Sequence, residues 1–133
     1  MVFSQLCDQA ERFHSPLVCT SGQPSVAALR LLDLLAAGGV DLYYSGDFDG
    51  KGLSIAVQLL ARYPDRLKLW RMTPEDYGQC LCDTALGGGS AALLRSCAGT
   101  VLEETAEAVA RQQRAGYQEL LLAGLEDDLT KAP

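Results

Sequence analysis

Val40-Asp41-Leu42-Tyr43-Tyr44-Ser45-Gly46-Asp47-Phe48-Asp49-Gly50-Lys51-Gly52 is the stretch on which the fold turns. Residues 40–45 form an apolar, partly aromatic run that reads as a buried strand. It passes directly into an acidic, glycine-rich loop. A helix over residues 53–62 should follow, with Ala56, Leu59, Leu60 and Tyr63 on one face and Pro64 as its stop. Strand, loop and helix in that order are the unit of an α/β fold. In open α/β sheets ligands gather at the carboxyl ends of the strands, which is where this loop lies.

Working outward, Leu17-Val18-Cys19-Thr20 is short, apolar and partly β-branched and reads as an earlier strand, followed by a Ser21-Gly22-Gln23-Pro24 turn. Ser25 is placed to cap a helix over residues 26–37 that ends at Gly38-Gly39. That helix is apolar nearly all round apart from Arg30 and Asp33, so deep burial is expected. Residues 67–71 alternate apolar and basic side chains as a third, more exposed strand. Thr73-Pro74-Glu75-Asp76 is a strong helix start, with Thr73 as cap, Pro74 at the first helical position and Asp76 as reciprocal cap. Gly87-Gly88-Gly89-Ser90 is a connector, Thr100 begins another helix by the same capping logic, and a last helix should cover about 117–129. The expected fold is a single α/β domain over 1–133, with a mostly parallel sheet of three or four strands flanked by helices and a helical C-terminal part over about 73–130. Residues 2–13 have helical spacing but no N-cap, so a further strand is expected upstream of Met1.

A hydrophobic content of 48% is enough for a core, and no apolar run is long enough to span a bilayer. With no secretory signal in the first residues, a cytoplasmic location is expected. The net charge of −6 argues against a surface that coats nucleic acid, although a bound cation can supply positive charge locally. Five scattered cysteines do not suggest a disulfide framework. The close pair Cys80-Leu81-Cys82 lacks the spacing and second ligand pair of a zinc site.

Asp47 and Asp49 are two apart on an extended segment and should face the same way. Two such carboxylates repel each other, and Mg²⁺ or Mn²⁺ would relieve the repulsion; Mg²⁺ commonly takes one or two carboxylates plus water and phosphate oxygens. Lys51 is placed to meet a phosphate as a point charge. Gly46, Gly50 and Gly52 allow sharp turns and the approach of a bulky ligand, and with Ser21 and Gly22 they make up the candidate cofactor-binding positions. Asp-x-Asp-Gly is equally a turn signal, and Asp49 or Gly50 would serve as an ordinary helix cap. A calcium EF-hand is excluded by Gln58 at its twelfth position, counting from Asp47.

The segments Leu17-Val-Cys-Thr-Ser-Gly-Gln-Pro-Ser25, Tyr44-Ser-Gly-Asp-Phe-Asp49 with Gly52, Trp70-Arg-Met72 and Asp76-Tyr77 resemble the C-terminal domain of a bacterial family found beside SMC-type condensin subunits in Wadjet-like plasmid-defence operons (JetD-like, akin to the topoisomerase VI A subunit). That domain is similar to the Toprim fold, a Rossmann-like arrangement shared by topoisomerases, primases and recombination nucleases. The resemblance implies that Asp47 and Asp49 are the Asp-x-Asp pair that binds Mg²⁺ with a glutamate from another strand. It also implies DNA and SMC or condensin-like subunits as partners of the full-length protein. The expected glutamate has no counterpart, because Met1-Val2-Phe3 aligns with the start of the first helix. A cut chain, a late start or a degenerate copy would each explain that, and each leaves the chain as written inactive. Glu119 is a further acidic candidate, set against an ordinary solvent-facing helix position.

Three functions are therefore open. The first is a Mg²⁺-dependent, nuclease-like DNA-processing domain acting by phosphodiester cleavage. The second is a non-catalytic module docking on a condensin-like partner. The third is a phosphoryl-transfer receiver, disfavoured because Ser21-Gly22 stands where its acidic nucleophile should be. Tyr43 and Tyr44, on a buried strand, are poor covalent nucleophiles. A glutamate followed by Asn-Pro encoded upstream would favour the enzyme. A missing strand would leave an unpaired sheet edge, so a homodimer is also expected.

Overall fold

A computed structural model describes residues 2–20 and 22–131. Its elements run α1 (Val2–Asp8), α2 (Val26–Ala37), β1 (Leu42–Tyr44), α3 (Gly50–Arg62), β2 (Leu67–Leu69), α4 (Pro74–Cys80), β3 (Leu81–Ala85), α5 (Ser90–Arg95), α6 (Glu103–Gln112), β4 (Arg114–Gly116) and α7 (Leu122–Lys131). Short 3-10 turns cover Ala10–Arg12 and Gln118–Leu121. The chain is a mixed α/β protein.

The parallel pairing expected of the central unit is present but small. β1 and β2 pair in parallel with Leu42 opposite Leu67 and Tyr44 opposite Leu69. The crossover between them is α3, whose buried face carries Leu53, Ile55, Ala56 and Leu59. It begins at Gly50, three residues earlier than expected, because Asp49 caps it. The capping box at Thr73 and Asp76 forms as expected.

The sheet of three or four strands is not found. The described residues form two two-stranded sheets, one parallel and one antiparallel. Residues 17–20 join neither. Leu17 packs on the core while Val18 is exposed, and the Thr20 hydroxyl bonds locally to the Gly22 carbonyl, so the segment follows a turn rather than a ladder. The second sheet arises in the part expected to be helical. β3 pairs antiparallel with β4, with Leu81 opposite Gly116 and Ala85 opposite Arg114.

Deep burial of α2 is also not found. Leu29, Leu32, Leu35 and Ala36 pack on a cluster of Leu42, Ile55, Leu59, Tyr63 and Leu67. The opposite face is open, with Val26 77% and Leu34 73% exposed. A helix apolar all round needs a layer on each side, and the described residues supply one. The first helix stops at Asp8 and tightens into the 3-10 turn rather than continuing to 13, and α6 begins at Glu103, with the Thr100 hydroxyl accepting from the Leu102 amide just ahead of it. The main core centres on Phe48, Leu53, Leu102, Val109 and Leu125, all fully buried.

Candidate functional site

The acidic loop leaves the carboxyl end of β1, where the Trp70 amide donates to the Tyr44 carbonyl at 2.7 Å and closes the parallel pair. Phe48 then turns into the core with no exposed surface. Its backbone exchanges two hydrogen bonds with Gly116, at 2.8 and 3.0 Å, so β4 holds the loop from behind. Since alternate residues of an extended segment face opposite ways, burying Phe48 turns Asp47 and Asp49 together toward the partly exposed side.

Both carboxylates are anchored through one oxygen. Asp49 Oδ1 accepts from the Gly52 amide at 2.7 Å as the N-cap of α3. Asp47 Oδ1 accepts from the Gln118 amide at 2.9 Å, a contact between residues 71 apart in sequence. The same 3-10 turn brings Glu119 close enough to act on Asp47. Burial raises the Asp47 carboxyl above the usual carboxylate range; the Gln118 amide opposes that shift, and the negative charges of Glu119 and then Asp49 add to it. The Tyr44 hydroxyl, which donates weakly to the Gly52 carbonyl at 3.5 Å, is pushed up to about 12 by burial and then by Asp47 and Asp49.

The remaining candidates separate. Lys51 is exposed on the first turn of α3, two residues after Asp49 in the chain. Gly46 follows the strand next to the Tyr44 ring. Gly52 has no room for a side chain, since an added Cβ would stand 2.0 Å from the Asp47 carbonyl oxygen. Gly50 is buried against the backbone of Ser90, where an added Cβ would stand 2.8 Å from its Cα, so it lets α3 pack on α5. Gly22 lies apart: its neighbour Gln23 bonds Gln58, eight residues into α3 and therefore about 12 Å along the helix from Gly50. Ser21 lies outside the described residues. Gln118 was not foreseen, because nothing in its local sequence marks it and only the tertiary contact gives it a role.

Among the described residues no group of three or more His, Cys, Asp or Glu side chains is arranged to hold a metal ion. A hard cation there would have to be held through one or two carboxylates and completed by water or phosphate oxygens, not enclosed by protein. Asp47 and Asp49 would be those ligands through the oxygens that the Gln118 and Gly52 amides leave free.

A family model described as "protein of unknown function C-terminus (DUF2399)" matches residues 1–129. The chain belongs to the DUF2399 family. The matched DUF2399 region includes the whole acidic loop, the 3-10 turn with Gln118 and Glu119, and α7 as far as Leu129. No curated protein and no solved structure matches this DUF2399 chain. Among its described residues no helix is long and apolar enough to cross a membrane.

Proposed function

We propose that the acidic loop is a Toprim-like site for Mg²⁺ or Mn²⁺ that serves phosphodiester chemistry on DNA in a longer, condensin-associated protein. The observation that carries this reading is the part-buried Asp47 carboxylate, set at a strand's carboxyl end with Asp49 and Glu119 working against its charge. A divalent ion bound there would polarise a phosphoryl oxygen and lower the pKa of an attacking water. Asp47 and Asp49 hold and orient the charge, the Gln118 amide and the α3 cap fix their positions, and Lys51 offers a cation to a phosphate arriving from the exposed side. Tyr44, pushed up to about 12 by burial and by the two aspartates, stays protonated at neutral pH.

Asp47→Asn tests the site in two ways at once. A carboxyl raised in the folded state holds its proton to higher pH there than in the unfolded chain. Its contribution to stability is thus fully present below the unfolded value of 3.8 and is lost as pH rises above it. At pH 7 the charged Asp47 destabilises the fold, and the asparagine oxygen can still accept from Gln118. Asp47→Asn is therefore expected to be as stable as the parent or more so, by up to about 1 kcal/mol. Mn²⁺ at ten times its dissociation constant should stabilise the parent by about 1.4 kcal/mol and leave the variant unchanged. Thermal melts with and without Mn²⁺ read both effects. An equal Mn²⁺ response in the two proteins would sink the assignment.

A second reading, a non-catalytic docking module, is favoured by the open apolar face of α2, formed by Val26, Leu31 and Leu34. A second copy of the chain is its simplest occupant. Light scattering at high micromolar concentration is expected to give a dimer, and Leu31→Glu with Leu34→Glu a monomer. A monomeric parent protein would remove self-association from consideration.

A further inference from the structure

Asp128 of α7 accepts three N–H groups from the end of β2. Arg71 Nε reaches Oδ2 at 2.7 Å, Arg71 Nη2 reaches Oδ1 at 2.8 Å, and the Trp70 indole N–H reaches Oδ2 at 2.9 Å. Planar, two-pronged pairing of this kind fixes orientation as well as distance. The backbone is set to allow it. Arg71 has φ +56°, a left-handed conformation that residues other than glycine adopt only where their surroundings impose it. On α7, Gly124 leaves bare backbone under the guanidinium, where an added Cβ would stand 3.0 Å from its central carbon.

The clamp bears on the acidic loop through continuous helix. α7 begins at Leu122 directly after the 3-10 turn Gln118–Leu121, and Leu122 is already in α conformation. Asp128 thus lies about 9 Å along the axis from Leu122. At the other end of the run the Gln118 amide donates to Asp47, and Glu119 stands within electrostatic reach of it. Leu121, Leu125 and Leu129 bury one face of this rod. A stripe of leucines alone tolerates small rotations and slides, whereas a three-bond polar clamp does not.

We propose that Asp128 is a positioning residue for the acidic loop: by gripping Trp70 and Arg71 it fixes the rotation of α7, and so holds the Gln118 amide on Asp47 and keeps Glu119 beside it. Its relevance to metal binding rests on the function proposed above; the mechanical coupling does not.

Amide hydrogen exchange on the whole chain, measured by NMR without added metal, tests the coupling. In Asp128→Asn the Gln118 amide should exchange about tenfold faster. The Gly52 amide, held by Asp49 in the same loop, and the Ala56 amide in buried α3 should keep their rates. A general loss of stability would accelerate all three together, and that result would overturn the proposal, as would an unchanged Gln118. Arg71→Lys keeps the charge but removes the two-pronged geometry, and it should give the same selective effect if Asp128→Asn folds poorly. No outcome depends on Mn²⁺, so failure of the metal assignment and failure of the coupling are separable.

Discussion

Gly52→Ala is expected to destabilise the protein by about 3 kcal/mol and to abolish any response to Mn²⁺. In the interior of an ordinary helix the same change would stabilise by roughly 1 kcal/mol. Here the sign reverses. The new Cβ would stand 2.0 Å from the Asp47 carbonyl oxygen and 2.9 Å from the carbon bearing it. Those are backbone atoms, fixed by the Gln118 bond to Asp47 on one side and the Asp49 cap on the other. Either the first turn of α3 unwinds or the loop moves out, and both separate the two carboxylates. Urea denaturation measures the effect, and a midpoint equal to or above that of the parent would show that the loop is not packed on the helix as described.

Phe48→Ala should be at least as damaging, at about 3–5 kcal/mol. The ring is fully buried and rests on Tyr77, with centroids 5.6 Å apart. It also divides the two aspartates and, through the backbone pairing with Gly116, sets the direction in which they face. Loss of the ring removes the reason for the segment to keep its alternation. The denaturation midpoint should fall with an unchanged slope, and Mn²⁺ stabilisation should disappear with it. Phe48→Leu keeps most of the volume and should lose about 1 kcal/mol. Equal losses for leucine and alanine would mean that ring packing does not hold the loop.

The features that could be read from the sequence are those with local causes. β1, β2 and the intervening α3 follow from periodicity and from the Pro64 stop, and the Thr73–Asp76 capping box forms as written. Asp49 takes the ordinary helix-cap role that its motif also allowed, its Oδ1 accepting from the Gly52 amide. The features that escaped have distant causes. Residues 81–85 run on directly from α4, and only pairing with β4 makes them a strand. Leu17-Val18-Cys19-Thr20 has strand composition but joins neither sheet of the described residues. Among the described residues α2 is packed on one side only, which hydrophobicity cannot report. Gln118 joins Asp47 across 71 residues, and no spacing rule reaches that far.

That long separation bears on when the site can exist. Phe48 waits for Gly116 to pair with it, and Asp47 waits for Gln118. Closing so long a span draws on chain entropy before any contact repays it, and contacts of this kind form late. β1, α3 and β2 can assemble as a local unit while the acidic loop is still loose. During synthesis Asp47 therefore stays unpositioned until residues 114–118 have emerged, whereas Asp49 is placed by its own helix cap. Any divalent-ion site the two carboxylates make would thus form only after β1, α3 and β2 are together, and it depends on residues 114–118 as much as on the loop itself.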